Sequence, residues 1–167
     1  MGQWSLKERL QPSLLDRLTD FEPSQVKEST SQQSMSQKQF KEAVIRDLGW
    51  LLNSVALDVC EDLEKYPEVQ RSVLNFGLPD MSGHTSSNVI IRTMENTIKA
   101  VIQQFEPRIV NNSLKVKIHS NPDEMSHNSL VIEIAGAVFG QPSPFQVVLK
   151  SELNLECGEF QVKESYD

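Results

Sequence analysis

The chain has 167 residues, with 16 basic and 23 acidic side chains and a net charge of −7. This length favours one domain, and 38% apolar with 23% charged residues is ordinary for a globular protein. The acidic excess argues against nucleic-acid binding, which needs clustered Lys and Arg. No run approaches the roughly 18 apolar residues of a membrane span, and residues 1–9 lack the apolar stretch of a secretory signal. We therefore expect a cytoplasmic protein with no nucleic-acid partner and no membrane insertion.

The chemistry-bearing side chains are scattered. Cys60 and Cys157 are too few and too distant to predict a disulfide framework or a zinc site. His84, His119 and His127 have no second ligand at metal-binding spacing. We therefore predict no metal and no cofactor.

Residues 1–35 are predicted to form an N-terminal arm. A short apolar stripe contains Leu14, Leu15 and Leu18, and a linker rich in Ser and Gln follows Pro23. This stripe predicts a helix of one or two turns. Because a helix this short is marginal in water, it must dock on its own domain or on a partner, and the sequence leaves both possibilities open. The three leucines are candidate partner-binding residues.

Residues 36–167 are predicted to form a single α+β domain that begins with a helix. Ser36 and Gln39 have the spacing of a capping box at a helix start. Apolar residues then recur at steps of three and four, which predicts an amphipathic helix. The stripe consists of Phe40, Val44, Leu48, Leu51, Leu52 and Val55, and Arg46 and Asp47 are among the polar residues opposite it.

A second amphipathic helix is predicted from Ser86 or Ser87 to about Glu106, because Pro107 disfavours helical geometry in the residue before it. Turn residues fill the interval between the two helices, which predicts a long ordered loop. After residue 112 the apolar period changes to two, which predicts strands. These are a strand around Leu114 to Ile118, one from Leu130 to Phe139, one from Phe145 to Leu155, and a short edge strand at Glu159 to Val162. The expected architecture is two main helices on one face of a three- to four-stranded, mainly antiparallel sheet.

The segment Glu106-Pro107-Arg108 places an acid, a helix terminator and a base where the second helix leads into the sheet. If these charges are exposed to solvent, they contribute about 0 to 1 kcal/mol. If a partner covers them, removal of either one costs about 3 to 5 kcal/mol. The residues alone do not decide between the two cases.

Five segments together resemble TssE, the baseplate wedge subunit of type VI secretion systems, which is similar to the sheath-initiator protein of contractile phage tails. They follow one another in the expected order over nearly the whole chain, with Phe76 where the family often has Tyr and Gly49 where an acidic residue is common. The segments are residues 12–18 (PSLLDRL), 48–53 (LGWLLN), 66–69 (YPEV), 72–80 (SVLNFGLPD) and 106–108 (EPR).

The resemblance implies a structural role in a cytosolic baseplate at the inner membrane of a Gram-negative bacterium. The implied partners are the wedge subunits TssF, TssG and TssK and the first ring of the TssB and TssC sheath. By the same resemblance, Glu106, Pro107 and Arg108 are expected to contact the helical core bundle of the wedge. The sheet would accept extended arms of the sheath by strand addition and so initiate its polymerisation.

The alternative is an enzyme, because the family has been called lysozyme-like. Peptidoglycan cleavage requires two carboxyl groups about 5 to 10 Å apart. Asp80, Glu106 and Glu133 are available, but any acidic protein offers such candidates. We therefore expect a protein without catalytic residues, and retain the hydrolase as the alternative.

Overall fold

A computed structural model describes residues 10, 12–19, 24, 35–79, 88–120, 129–139, 144–154 and 158–164. Its elements follow the predicted order. The helices are α1 (Leu14–Leu18), α2 (Gln37–Leu52), α3 (Pro67–Gln70) and α4 (Asn88–Phe105), and the strands are β1 (Lys115–Ser120), β2 (Ser129–Val138), β3 (Phe145–Asn154) and β4 (Glu159–Glu164). Three 3₁₀ turns occupy Leu57–Val59, Val73–Asn75 and Asn111–Ser113.

The capping box at the start of α2 is confirmed. The Gln39 N–H donates to Ser36 Oγ at 3.2 Å, and the Ser36 N–H donates to Gln39 Oε1 at 3.0 Å. The predicted stripe is buried from Phe40 to Leu52. Val55 is the exception: α2 ends at Leu52, and Val55 lies in an extended bridge to Leu78 with its side chain 64% exposed. The prediction that Val55 faces the core was wrong because it extended the helical period past the end of the helix.

The second main helix, α4, ends at Phe105 as the following proline predicts. Met94, Ile98 and Ile102 are buried on its inner face. Its predicted start at Ser86 or Ser87 lies outside the described residues, as do most of the Ser- and Gln-rich linker and Leu155. The division between an arm and a domain at residues 35 and 36 stays a prediction.

The predicted long loop between the main helices is described from residue 53 to residue 79, and this part contains two of the 3₁₀ turns and the four-residue helix α3. Elements of three or four residues are too short to produce a recognisable apolar period. Ala56, Leu63 and Leu78 anchor this connection to the protein interior.

The sheet is an antiparallel meander in the order β1-β2-β3-β4. One cross-strand row aligns Ile118 with Ile132, Ile132 with Ser151, and Ser151 with Val162. Ile118, Ile132 and Ser151 are buried, which confirms the predicted alternation. β4 extends to Glu164 rather than Val162. α2 and α4 pack against each other, α4 against β1 and α2 against β4, so one core lies between the helix pair and the sheet.

Candidate functional site

The segment Glu106-Pro107-Arg108 forms a corner between α4 and the end of β2. The Glu106 N–H donates to the C=O of Ile102 at 2.9 Å, which completes the last helical turn. After the corner, the chain runs beside β2: the Phe139 N–H donates to the C=O of Arg108, and the Val110 N–H donates to the C=O of Ala137, both at 2.8 Å. The corner is therefore fixed to the sheet as well as to the helix.

Arg108 holds Glu106 through its backbone and its side chain. The backbone N–H and Nε of Arg108 donate to Glu106 Oε1 at 3.2 and 2.6 Å, and Nη2 donates to Oε2. Glu106 is only 4% exposed. The sequence left two alternatives for this carboxylate, exposure to solvent and burial by a partner. Neither describes it, because the protein's own fold buries it.

The pair is part of a longer charge chain, which we define as Asp16, Arg46, Asp47, Arg108 and Glu106. Arg108 Nη2 also donates to Asp47 Oδ2 on α2 at 2.6 Å. Arg46 donates to Asp47 Oδ1 through Nε and Nη2 at 2.9 and 2.7 Å. It reaches Asp16 on α1 through Nη1 and Nη2 at 2.5 and 3.3 Å. The charge chain therefore connects α1, α2 and the corner.

Burial and ion pairing act in opposite directions on these groups. Burial opposes the charge of Arg108, but the hydrogen bonds and charges of Glu106 and Asp47 outweigh it and raise the Arg108 pKa. The hydrogen bond from Arg46 lowers the pKa of Asp16, and the same contact raises the pKa of Arg46. All three groups are held in their charged forms.

Two aromatic rings adjoin the guanidinium groups. The Arg108 guanidinium carbon lies 5.9 Å from the centroid of the Phe40 ring, and that of Arg46 lies 4.9 Å from the centroid of the Trp50 ring. Both distances are within the range of cation–π attraction. Arg108 Nη1 is buried and has no hydrogen-bond partner in the described part of the chain. The rings and carboxylates thus fix the orientation of both arginines.

The short helix α1 lies on its own domain through this charge chain. Ser13 caps it by accepting from the Asp16 N–H at 3.4 Å, and the Ser13 hydroxyl donates to Asp16 Oδ2 at 2.7 Å. Leu14, Leu15 and Leu18 are 71%, 50% and 75% exposed. The helix therefore docks through Asp16, while its three leucines face outward.

Beside the corner is an open groove of about 420 Å³. Pro107, Ile109 and Phe139 contribute apolar walls, and Gln103 and Asn111 contribute polar ones. Pro107 is exposed, and the Phe139 side chain is 58% exposed. The sequence places Phe139 at the end of a predicted strand and gives it no role, and only its position next to the corner distinguishes it.

The two sheet edges form a second candidate surface. The N–H of Phe160 donates to Asn53 Oδ1 at 2.9 Å, and its C=O accepts from Asn53 Nδ2 at 3.0 Å. Because backbone groups alternate in direction along an antiparallel strand, those of Val162 also point away from β3. At the opposite edge, the Ile118 N–H donates to Glu95 Oε1 at 2.8 Å. In the described part of the chain, β4 is therefore capped at Phe160 by the residue that follows α2, and β1 is capped at Ile118 by a residue of α4.

Within the residues that the structure describes, no group of His, Cys, Asp or Glu is arranged to hold a metal ion. No helix in that part of the chain is both long and apolar enough to cross a bilayer.

The family model described as baseplate wedge protein gp25 matches residues 38–143, which is more than half of the chain. The chain belongs to this family. No curated protein and no solved structure shows significant similarity to the chain. The match includes α2 from its second residue onward, α4 and the Glu106-Pro107-Arg108 corner. The chain is therefore a structural component of a baseplate like that of a phage tail, as the resemblance to TssE and its phage relatives predicts.

Replacing Glu106 by Ala should destabilise the fold, because it removes one of the two carboxylates that neutralise Arg108. We expect a loss of about 3 kcal/mol in unfolding free energy, near the lower end of the range for a broken buried pair because Asp47 remains. Glu42→Ala is the matched control: Glu42 lies 3.8 Å from Lys38, with both side chains largely exposed, and should change stability by about 0.5 kcal/mol or less. Urea unfolding of both variants measures the difference, and equal losses would contradict a structural role for the charge chain.

Docking of α1 should weaken in acid. The Asp16 pKa is lower in the folded protein than its ordinary value of 3.8, so its stabilising contribution is present above about pH 4 and is lost as the pH falls through the folded-state pKa. Hydrogen-exchange protection of the Arg17 and Thr19 amides, which bond within α1, should decrease over that range. In Asp16→Asn, protection should already be low at pH 7 and vary little with pH. Acid-dependent protection that persists in this variant would assign the effect to another group.

Proposed function

We propose that this protein is the TssE-type wedge subunit of a type VI secretion baseplate, located in the cytoplasm at the inner membrane of a Gram-negative bacterium. Its partners in this role are TssF, TssG and TssK in the wedge and the TssB and TssC sheath. The observation that carries the proposal is the match to the baseplate wedge family over residues 38–143. The five segments that resemble TssE support the secretion system over a phage tail as the setting.

The first proposed contact is between the corner and the wedge. Glu106 and Arg108 neutralise each other and are tied to α2 through Asp47, so the corner has little freedom to lose when a partner binds. The surface here is both apolar and polar. It consists of exposed Pro107, the exposed part of Arg108 and the adjoining groove. In this proposal Glu106 shapes the corner from inside, and Pro107 and Arg108 contact the core bundle of the wedge.

The second proposed contact is through α1. Asp16 holds this helix against α2, while Leu14, Leu15 and Leu18 are at least half exposed. A helix positioned by a charged residue with its leucines turned outward is suited to an apolar groove on a partner. We assign the three leucines to the wedge interface on this basis.

Sheath initiation is proposed to occur by strand addition at β4. Asn53 supplies both a donor and an acceptor to the backbone of Phe160, as a paired strand residue would, so this edge is aligned for pairing. At β1, Glu95 supplies only an acceptor. An added strand gains about 0.5 to 1.5 kcal/mol per hydrogen bond, and repetition around a ring makes these small gains sufficient.

A non-enzymatic role agrees with the hydrogen bonds that hold Glu106. The Arg108 side chain donates to both oxygens of this carboxylate, so neither oxygen is free to protonate a leaving group. A glycosidase acid needs a different arrangement, a carboxyl group in an apolar site without a cation bound to both of its oxygens. Of the three carboxylates considered from the sequence, Glu106 is therefore poorly suited to hydrolysis.

Co-purification with TssF and TssG tests the proposed role. Phe139→Ser alters the groove beside the corner, and the double variant Leu14→Ser, Leu18→Ser alters the α1 surface. Both leave the charge chain intact and should retain the wild-type melting temperature but recover at most a fifth as much TssF and TssG. His119→Ser, at an exposed position of β1, is the control and should bind normally.

Wild-type protein that fails to recover TssF and TssG would contradict the wedge assignment. The purified protein should also leave the turbidity of a peptidoglycan suspension unchanged. A decrease in turbidity that Glu106→Gln abolishes would establish the hydrolase instead.

Val162→Pro should block sheath assembly. It removes a backbone N–H that points away from the sheet, so the fold loses no ladder hydrogen bond and an added strand loses one. We expect loss of fluorescent sheath foci in cells with only a small decrease in melting temperature. Val116→Pro makes the equivalent change at the β1 edge and should retain more foci. Normal foci in Val162→Pro, or stronger inhibition by Val116→Pro, would place strand addition elsewhere.

A further inference from the structure

The connection between α2 and α4 contains a compact unit that the proposed role does not use. We call it the turn cluster and define it as Leu57–Val59, Pro67–Gln70 and Val73–Asn75. The segments Pro67–Gln70 and Leu57–Val59 each pack against Val73–Asn75. The cluster therefore forms one surface feature.

The buried side chain of Asn75 joins the three segments. Its Oδ1 accepts from the Asp58 N–H at 2.9 Å, and its Nδ2 donates to the C=O of Gln70 at 3.1 Å. Ser72 fixes the start of the last segment, because its Oγ accepts from the Leu74 N–H at 3.2 Å and donates to the C=O of Val69 at 2.9 Å. These polar contacts determine the conformation of the cluster.

The chain that follows the cluster is anchored to α4 and to the segment that follows α2. The Phe76 ring contacts the Phe105 ring of α4 edge to face, with centroids 5.4 Å apart. Gly77 has φ of +137° and lies against Ser54, where an added Cβ would be 2.4 Å from the carbonyl oxygen. Any larger residue at Gly77 would clash. The exit from the cluster is thus as constrained as its interior.

The side chains at the tip of this rigid unit are apolar and exposed. Val73 is 78% exposed, Leu74 is 67% exposed, and Tyr66 is 59% exposed. Single exposed aliphatic residues are common. Here, however, two adjacent ones are held outward by a buried asparagine and a constrained glycine. Apolar groups fixed in this way lose little conformational entropy on binding.

The charge around the tip indicates what it can bind. Between residues 57 and 75 the exposed acidic residues outnumber the two basic ones, Lys65 and Arg71. Asp58 and Glu68 lie on the two segments that pack against Val73–Asn75, and Glu61, Asp62 and Glu64 lie between these segments in the chain. This acidic collar repels phosphate backbones and the anionic surface of a cytoplasmic leaflet. It also disfavours the same patch on a second copy, because like charges would face each other.

We propose that the Val73–Leu74 tip inserts into an apolar pocket on another protein whose rim carries Lys or Arg. The tip supplies the apolar anchor, and the acidic collar supplies the complementary charge. This interface is additional to the corner and to the sheet edge, so a wedge subunit carrying it contacts one more neighbour.

A photo-crosslinker identifies the partner in cells that make the protein. p-Benzoylphenylalanine replaces Arg71, which is exposed next to the tip and leaves Val73 and Leu74 unchanged. We expect one crosslinked protein, with the crosslink mapped by mass spectrometry to a segment that has apolar residues flanked by Lys or Arg. Val73→Ser with Leu74→Ser should reduce the crosslink at least fivefold, and Glu61→Lys with Glu64→Lys should reduce it at least threefold.

His119→Ser is the control, because His119 is exposed on β1 and belongs to none of the proposed interfaces, and it should leave the Arg71 crosslink intact. A second crosslinker at Phe139 reports the proposed wedge contact separately, so failure of that role is distinguishable from failure of this interface. Absence of an Arg71 crosslink, a crosslink to a second copy or to lipid, or a crosslink that Val73→Ser with Leu74→Ser leaves unchanged would overturn the inference. Melting temperatures of all variants should equal that of the wild type.

Discussion

The pairing of Arg108 with two carboxylates is the interaction on which the arrangement of this protein depends. A guanidinium with only 20% of its side chain exposed is costly to bury unless opposite charges surround it. One of these charges, Glu106, is two residues away, whereas the other, Asp47, lies 61 residues earlier on α2. Both carboxylates can therefore reach Arg108 only when α2 and the end of α4 are held in one relative position. Arg46 extends the same requirement to α1.

A buried charge chain can define one orientation without adding net stability. Apolar side chains of similar size often stabilise a protein as much as a buried ion pair does, but they do not define a single orientation. Arg108 makes directional contacts with Glu106 and Asp47 and lies near the Phe40 ring. The corner can consequently adopt one shape, and Pro107 and the groove beside it are presented in that shape.

The sequence predicts the fold well because its elements produce local patterns. The box at Ser36, the apolar steps of α2 and α4, and the alternation along β2 and β3 are each visible within a window of about 11 to 18 residues. The sequence also singles out Glu106-Pro107-Arg108, but it does not predict which groups surround that segment. The contacts of Arg46 with Asp16 and of Arg108 with Asp47 join distant segments, and nothing in a polar helix face indicates which charge will pair with which. The 3₁₀ turns were missed because three residues show no period.

In the proposed role, an open sheet must remain separate from chance partners and still accept a strand. The alternating direction of backbone groups along an edge strand explains how it can. An exposed edge invites pairing with any extended chain, and here Asn53 and Glu95 each occupy one outward-facing residue. Such a cap competes with only one or two hydrogen bonds, each of small net free energy. A random encounter gains little by displacing it. In the proposed role, an arm held beside the edge by an assembled ring would have a high effective concentration, so the same small gain per bond would favour addition. On this proposal, a modest cap discriminates between chance contact and assembly.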